Sequence, residues 1–152
     1  MKVSVSSKPR TVKAIHRAAH TLMRAGSRRL NPFVLSIAGS RRLPLLAIIQ
    51  HRGRRSGRSY TTPVVTRPTK DGFAISLTFG QQADWFRNVQ AAGGCIVRWK
   101  GVDYPLVDPE VVEWASVRSA FPSLMRFLVP VIGIEQFVQL RYAPTGSNLS
   151  QM

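Results

Sequence analysis

The feature that most constrains this fold is a succession of short strand-like segments, each closed by a glycine or proline turn. Leu45 to Ile49 is an apolar run, and Tyr60 to Thr66 is rich in β-branched residues. Between them lies the turn-like stretch His51-Arg52-Gly53-Arg54-Arg55-Ser56-Gly57-Arg58. Pro68 to Gly72 is the next turn signal, after which Phe73, Ile75, Leu77 and Phe79 alternate with Ala74, Ser76 and Thr78. Such alternation gives one apolar face and one face of small hydroxylated side chains. Cys95, Val97 and Trp99 alternate with Ile96, Arg98 and Lys100, and a turn at Gly101 leads into Val102, Tyr104 and Leu106. Glu135 to Tyr142 supplies a last strand.

Helical spacing is confined to a few stretches. Val12, Ile15, Ala19, Leu22 and Met23 recur helically from Thr11 to Arg24, and a second apolar stretch runs from Phe33 to Ala38. Gln81 to Ala92 places Ala83, Phe86 and Val89 on one stripe and Asp84 and Asn88, four apart, on another; Gly93-Gly94 ends it. Asp108-Pro109-Glu110 reads as a helix start and predicts a helix to about Ser119, with another from Pro122. Regular βα alternation is missing, which excludes a doubly wound parallel sheet and leaves an α+β fold with its antiparallel sheet closed as a small barrel. The 152 residues suit one domain with a real core: a basic leader over 1–10, the domain over 11–144 and a tail over 145–152.

One cysteine excludes a disulfide framework and any multi-thiolate metal site. Cys95 shares a strand face with Val97 and Trp99 and reads as a buried structural thiol. Trp85, Trp99 and Trp114 read as core. His16 and His20 have a ligand-like spacing, but no acid precedes Asp71 and His51 is the remaining histidine, which argues against a metal. Leu124 to Ile134 is too short to span a bilayer and is interrupted by Arg126 and Pro130. No apolar signal core follows Lys2, Lys8 and Arg10, so the expected compartment is the cytoplasm.

Charge is distributed unevenly. Lys and Arg number 22 against 7 acids, a net of +15, and 16 of the 22 lie in residues 1–70. A cationic half of this kind attracts phosphate, polycarboxylate, anionic lipid or nucleic acid. Phe33 and Tyr60 are the only aromatics before Asp71, so the interleaving of basic and stacking residues that suits nucleic acid is missing. The basic N-terminus and the amphipathic stretch 11–24 would suit peripheral contact with an anionic membrane.

Gly53-Arg54-Arg55-Ser56-Gly57-Arg58 is the leading candidate site. Two glycines let consecutive N–H groups converge as an anion nest, and three arginines offer forked donors; the competing reading is an exposed hairpin loop with solvated charges. Ser76 and Thr78, with Thr62 and Pro63 on a neighbouring strand, could form a shelf on which a flat ring lies close to backbone. Proline within a strand run implies an edge or a bulge. No nucleophile elbow and no acid–base pair stands out.

From Ile49 to Gly101 the chain resembles the deazaflavin-dependent nitroreductase family, the coenzyme F420-using branch of split β-barrel oxidoreductases. The resemblance rests on Gly-Arg-Arg-Ser-Gly at 53–57, Pro63 in the next strand, Asp71-Gly72, Asp84-Trp85-Phe86-Arg87-Asn88 and Ala91-Ala92-Gly93-Gly94-Cys95. It implies an FMN-binding-like split β-barrel with two to four flanking helices. It also implies a tail site at Arg54, Arg55, Ser56, Gly57 and Arg58, and a ring site along Tyr60, Thr61, Thr62, Pro63, Val64 and Val65. Ser76, Leu77, Thr78 and Phe79 would touch tail or ring edge, and Asp84, Trp85, Arg87 and Asn88 would close the tail side. The implied activity is hydride transfer from the reduced deazaflavin to a quinone, nitroaromatic or activated alkene. Tyr60 and His51 stand nearest to proton delivery, and Tyr142, with Phe121, Phe127 and Phe137, nearest to the acceptor. Related branches use FMN or haem; the glycine–basic loop favours the deazaflavin. The resemblance is compatible with a homodimer.

Overall fold

The computed structural model describes residues 44–146. The expectations for the leader, the helix over 11–24, the stretch 33–38, His16, His20 and the end of the tail lie outside the described residues. β1 (Leu46–Arg52) and β2 (Ser59–Pro68) form an antiparallel hairpin, in register from Leu46 opposite Val65 to Arg52 opposite Ser59. β3 (Gly72–Ser76), β4 (Gly94–Trp99), β5 (Val102–Glu113) and β6 (Gln136–Tyr142) complete a closed barrel in the order β1-β2-β3-β6-β5-β4. Every neighbouring pair is antiparallel.

Alternation along the strands sorts side chains into two cores. Ala47, Ile49, Val64, Phe73, Ile75, Val97, Leu106, Val138 and Leu140 fill the interior. Helix α1 (Asp84–Ala92) adds Trp85, Phe86 and Val89 to that cluster, each worth about 1.5–3 kcal/mol if fully withdrawn from water. Gly93 ends α1 in the left-handed conformation, φ 76°. Ala74 and Phe137 face the other way, onto α2 (Trp114–Val117), a 3₁₀ turn (Arg118–Ala120) and α3 (Ser123–Ile132), with Val117, Phe121 and Val129. β3 is therefore buried on both faces, and its hydroxylated side is not a solvent face. The strand also stops at Ser76, so Phe79 lies in the following turn.

The predicted helix over 108–119 is not formed. β5 continues to Glu113, and its pairing with β6 shifts register between Val107 and Glu110. Asp108 sits at that bulge with φ 56°, a conformation aspartate tolerates better than most residues, and its N–H donates to the Gly93 carbonyl at 3.1 Å. Continued pairing places Val111 against the interior core and Val112 against the outer one. That long-range gain overrides the local cap, and the first helix there begins only at Trp114.

An aromatic group of Phe73, Trp99, Tyr104 and Tyr142 packs where the β2–β3 turn and the end of β6 meet. The Tyr142 N–H donates to Asp71 O there, so Tyr142 lies at the end of the barrel remote from the β1–β2 loop. Phe121 and Phe137 are core. None of these three is placed to meet a ligand at the loop. α3 leaves Leu124, Phe127, Val131 and Ile132 exposed.

Candidate functional site

The β1–β2 loop is a closed structure. The Gly53 N–H donates to Arg58 O and the Gly57 N–H to Gly53 O, both at 2.8 Å, while the Arg58 N–H donates to Ser56 Oγ at 3.3 Å. Ser56 Oγ and the Tyr60 hydroxyl are 3.2 Å apart. Gly57 turns the chain at φ 65°. A Cβ at Gly53 would lie 2.5 Å from Ser56 Oγ and 2.8 Å from the Tyr60 ring, so any larger residue would push these two exposed side chains out of their contact.

α1 reaches this loop with the two residues its sequence sets four apart. The guanidinium of Arg54 donates from Nη1 to Asn88 Oδ1 (2.9 Å) and Asp84 Oδ1 (3.2 Å), and from Nη2 to the same Asp84 oxygen (3.2 Å). The Arg54 backbone N–H donates to Asn88 Oδ1 at 3.1 Å. With Oδ1 occupied by donors, the Asn88 amide nitrogen donates to His51 Nδ1 at 3.1 Å, which leaves the His51 proton on Nε2, donated to Thr62 Oγ1 at 3.1 Å. His51 is 5% exposed and stacks against Tyr60 with ring centroids 5.8 Å apart. Burial pushes its pKa down to about 4, against the smaller upward pull of Asp84. Both ring nitrogens are engaged, so His51 holds the loop to the barrel and has no free atom for proton delivery.

The sign of that shift predicts an acid-labile fold. Between about pH 4 and 6.5 the unfolded chain binds a proton at His51 that the folded chain refuses. Stability is therefore undiminished above pH 6.5 and declines as pH falls toward 4, by about 3 kcal/mol from this residue. Urea midpoints at pH 7 and pH 5 should differ more in the native chain than in His51→Gln; equal differences would refute the assignment.

The other expected site residues divide between surfaces. Arg55, Ser56, Gly57, Arg58, Tyr60 and Thr61 are exposed. Across the hairpin, Tyr60 lies opposite His51 and Val64 opposite Ala47, so Tyr60, Thr62 and Val64 share the inward face while Thr61, Pro63 and Val65 share the outward one. β2 pairs with β3 only from Thr66 to Pro68, so residues 59–65 have an open edge among the described residues. Pro63 thus occupies an edge, one of the two placements its ring permits. Ser76 and Thr78 follow the same short ladder on the β3 side, their hydroxyls 3.1 Å apart; Ser76 is buried. Leu77 and Trp85 belong to the interior core, Phe79 is half-buried, and Arg87 is exposed. Cys95 is fully buried and its thiol is pushed up to about 12 by desolvation.

Sequence reasoning missed the coupling of Arg54 to α1 and the central place of His51. The signals were present: Asp84 and Asn88 share a helix stripe, and His51 continues the inward row of Ala47 and Ile49.

A family model for F420H2-dependent quinone reductases matches residues 24–123. No curated protein matches the chain. Among solved structures, the haem storage protein HutZ of Vibrio cholerae is similar over 76% of this chain and 92% of its own, at 12% identity and a TM-score of 0.50. An F420-H2 dependent reductase, FDR-A, matches 64% of this chain and 94% of its own at 19% identity and a TM-score of 0.41. The HutZ likeness shows the split-barrel fold.

Proposed function

The chain belongs to the F420H2-dependent quinone reductase family, and we propose that it binds coenzyme F420 with the anionic tail on the Gly53–Arg58 loop and the ring along the outward face of β2. One observation carries this reading: the guanidinium groups of Arg55 and Arg58 are exposed, with no partner among the described residues, on a loop fixed internally and to α1. The donor set suits phosphate and carboxylate oxygens. The open edge of β2, with the small outward residues Thr61, Pro63 and Val65, suits a flat ring; Thr78 lies beyond the end of β3 and Ser76 is buried beside it. When bound in reduced form, the coenzyme supplies the hydride that reduces the acceptor. An electrophile such as a quinone, nitroaromatic or activated alkene fits that role, and Tyr60 stands exposed at the junction of loop and strand. The loop suits a many-times-negative tail better than the single phosphate of FMN. Titration with oxidised coenzyme F420, followed by tryptophan fluorescence and repeated with FMN, should give saturable quenching for F420 at lower concentration. No saturation, or preference for FMN, would overturn the proposal.

A second reading, peripheral attachment to an anionic membrane, draws on α3. Leu124, Phe127 and Val131 are exposed at helical spacing, and no acid occurs between Glu113 and Glu135, where Arg118 and Arg126 lie. No helix among the described residues is long and apolar enough to cross a membrane. Co-sedimentation with phosphatidylglycerol vesicles should fall several-fold in L124S/F127S, since each exposed side chain would bury about 1.5–3 kcal/mol of apolar surface. Equal sedimentation of the variant and the native chain would reject this surface.

A further inference from the structure

We propose that Arg54 is a positioning residue, locked by Asp84 and Asn88 of α1, and that the anion is gripped instead by Arg55, Arg58 and the consecutive N–H groups of Arg55 and Ser56. The inference rests on the coenzyme-binding reading and assigns its loop residues separate roles.

The donors of the loop can be accounted for one by one. The N–H groups of Gly53, Gly57 and Arg58 are taken up inside the loop, and that of Arg54 is taken by Asn88. Those of Arg55 and Ser56 have no acceptor among the described residues, and they are adjacent, as an anion nest requires. Among side chains, Arg54 spends Nη1 and Nη2 on α1 and faces a carboxylate at 3.2 Å that already offsets its charge. A ligand oxygen that drew the Arg54 guanidinium away from α1 would break its Nη1 bond to Asn88, a buried residue tied in turn to His51. Unmaking that part-buried, charge-assisted bond costs more than shedding water. Arg55 and Arg58 need give up only water. The network Asp84–Arg54–Asn88–His51–Thr62 therefore links α1, the loop, β1 and β2, and sets the direction in which the two free arginines point.

Salt dependence and amide exchange separate a brace from a ligand. R54Q/D84N removes the pair while leaving net charge unchanged. It should raise the dissociation constant for oxidised coenzyme F420 about 5–10-fold, a loss of preorganisation, with the steepness of log Kd against log salt as in the native chain. R55Q should raise it about 10–100-fold, the loss of one charge-assisted contact, with a visibly shallower salt dependence. If R54Q/D84N and R55Q flatten that dependence equally, Arg54 grips the tail and the proposal is wrong. In the protein without coenzyme, the Gly53 and Gly57 amides should exchange several-fold faster in R54Q/D84N, and unchanged exchange would also overturn it. Failure of the native chain to bind the coenzyme would remove the tail reading, while the exchange experiment would still decide whether Arg54 braces the loop.

Discussion

R55E/R58E is expected to abolish saturable binding of coenzyme F420, raising its dissociation constant at least ~1000-fold at low salt. Each arginine supplies a charge-assisted contact to an anionic tail, and loss of one such contact typically costs a factor of about 10–100. Reversal goes further than removal, because each glutamate then repels the oxygens its predecessor attracted. Screening limits this repulsion at exposed positions, so the deficit should narrow as salt rises, while native binding weakens over the same range. Stability should change by less than about 0.5 kcal/mol, since neither side chain has a partner among the described residues. A thermal melt alongside the fluorescence titration separates the two effects. Retention of binding within threefold of the native value, in a chain that melts normally, would move the tail away from this loop.

What was legible in the sequence follows from how local each signal is. The β1–β2 hairpin, the end of α1 at Gly93 and the return of β6 are written in adjacent residues: a glycine-rich turn between strand-forming runs, a left-handed cap, an alternating apolar row. The order of motifs around the loop carried the family as well. The interval 108–113 was misread because Asp108-Pro109-Glu110 satisfies the local chemistry of a helix start, while the partner that makes it a strand, Gln136–Gln139, lies far along the chain. The burial of Ser76 was hidden for the same reason, since nothing in β3 itself states that helices cover its outer side. Arg54 posed a different difficulty. Composition makes it equivalent to Arg55 and Arg58, and only the tertiary meeting of the loop with Asp84 and Asn88 tells them apart. Residue type marks the site here, and packing assigns the roles within it.

Gly72→Ala should be the most damaging single methyl in the described barrel, and the reason is space. Gly72 lies opposite Arg141 in the β3–β6 ladder. A Cβ there would fall inside van der Waals contact of the Leu140 carbonyl oxygen and 2.8 Å from the Cα of Arg141. Both are backbone atoms, so no rotamer change can relieve the overlap. β6 cannot retreat freely, because the Tyr142 N–H is bonded to Asp71 O at 2.9 Å and Leu140 is buried in the interior core. Relief therefore requires β3 and β6 to part at the end where they close the barrel. Overpacking of this kind costs about 3 kcal/mol or more, and a chain of this size should lose roughly 6–12 °C in Tm. Gly57→Ala is the informative contrast: its φ of 65° strains any side chain, yet a Cβ there meets nothing within 4 Å. That conformational penalty is about 1–2 kcal/mol, so its melting shift should be clearly smaller. Equal shifts for the two variants would mean that the ladder tolerates the methyl and that the close approach at Gly72 does not govern stability. Below its lowered Tm, Gly72→Ala should still bind the coenzyme as the native chain does, because Gly72 and the Arg55–Arg58 loop lie at opposite ends of β2.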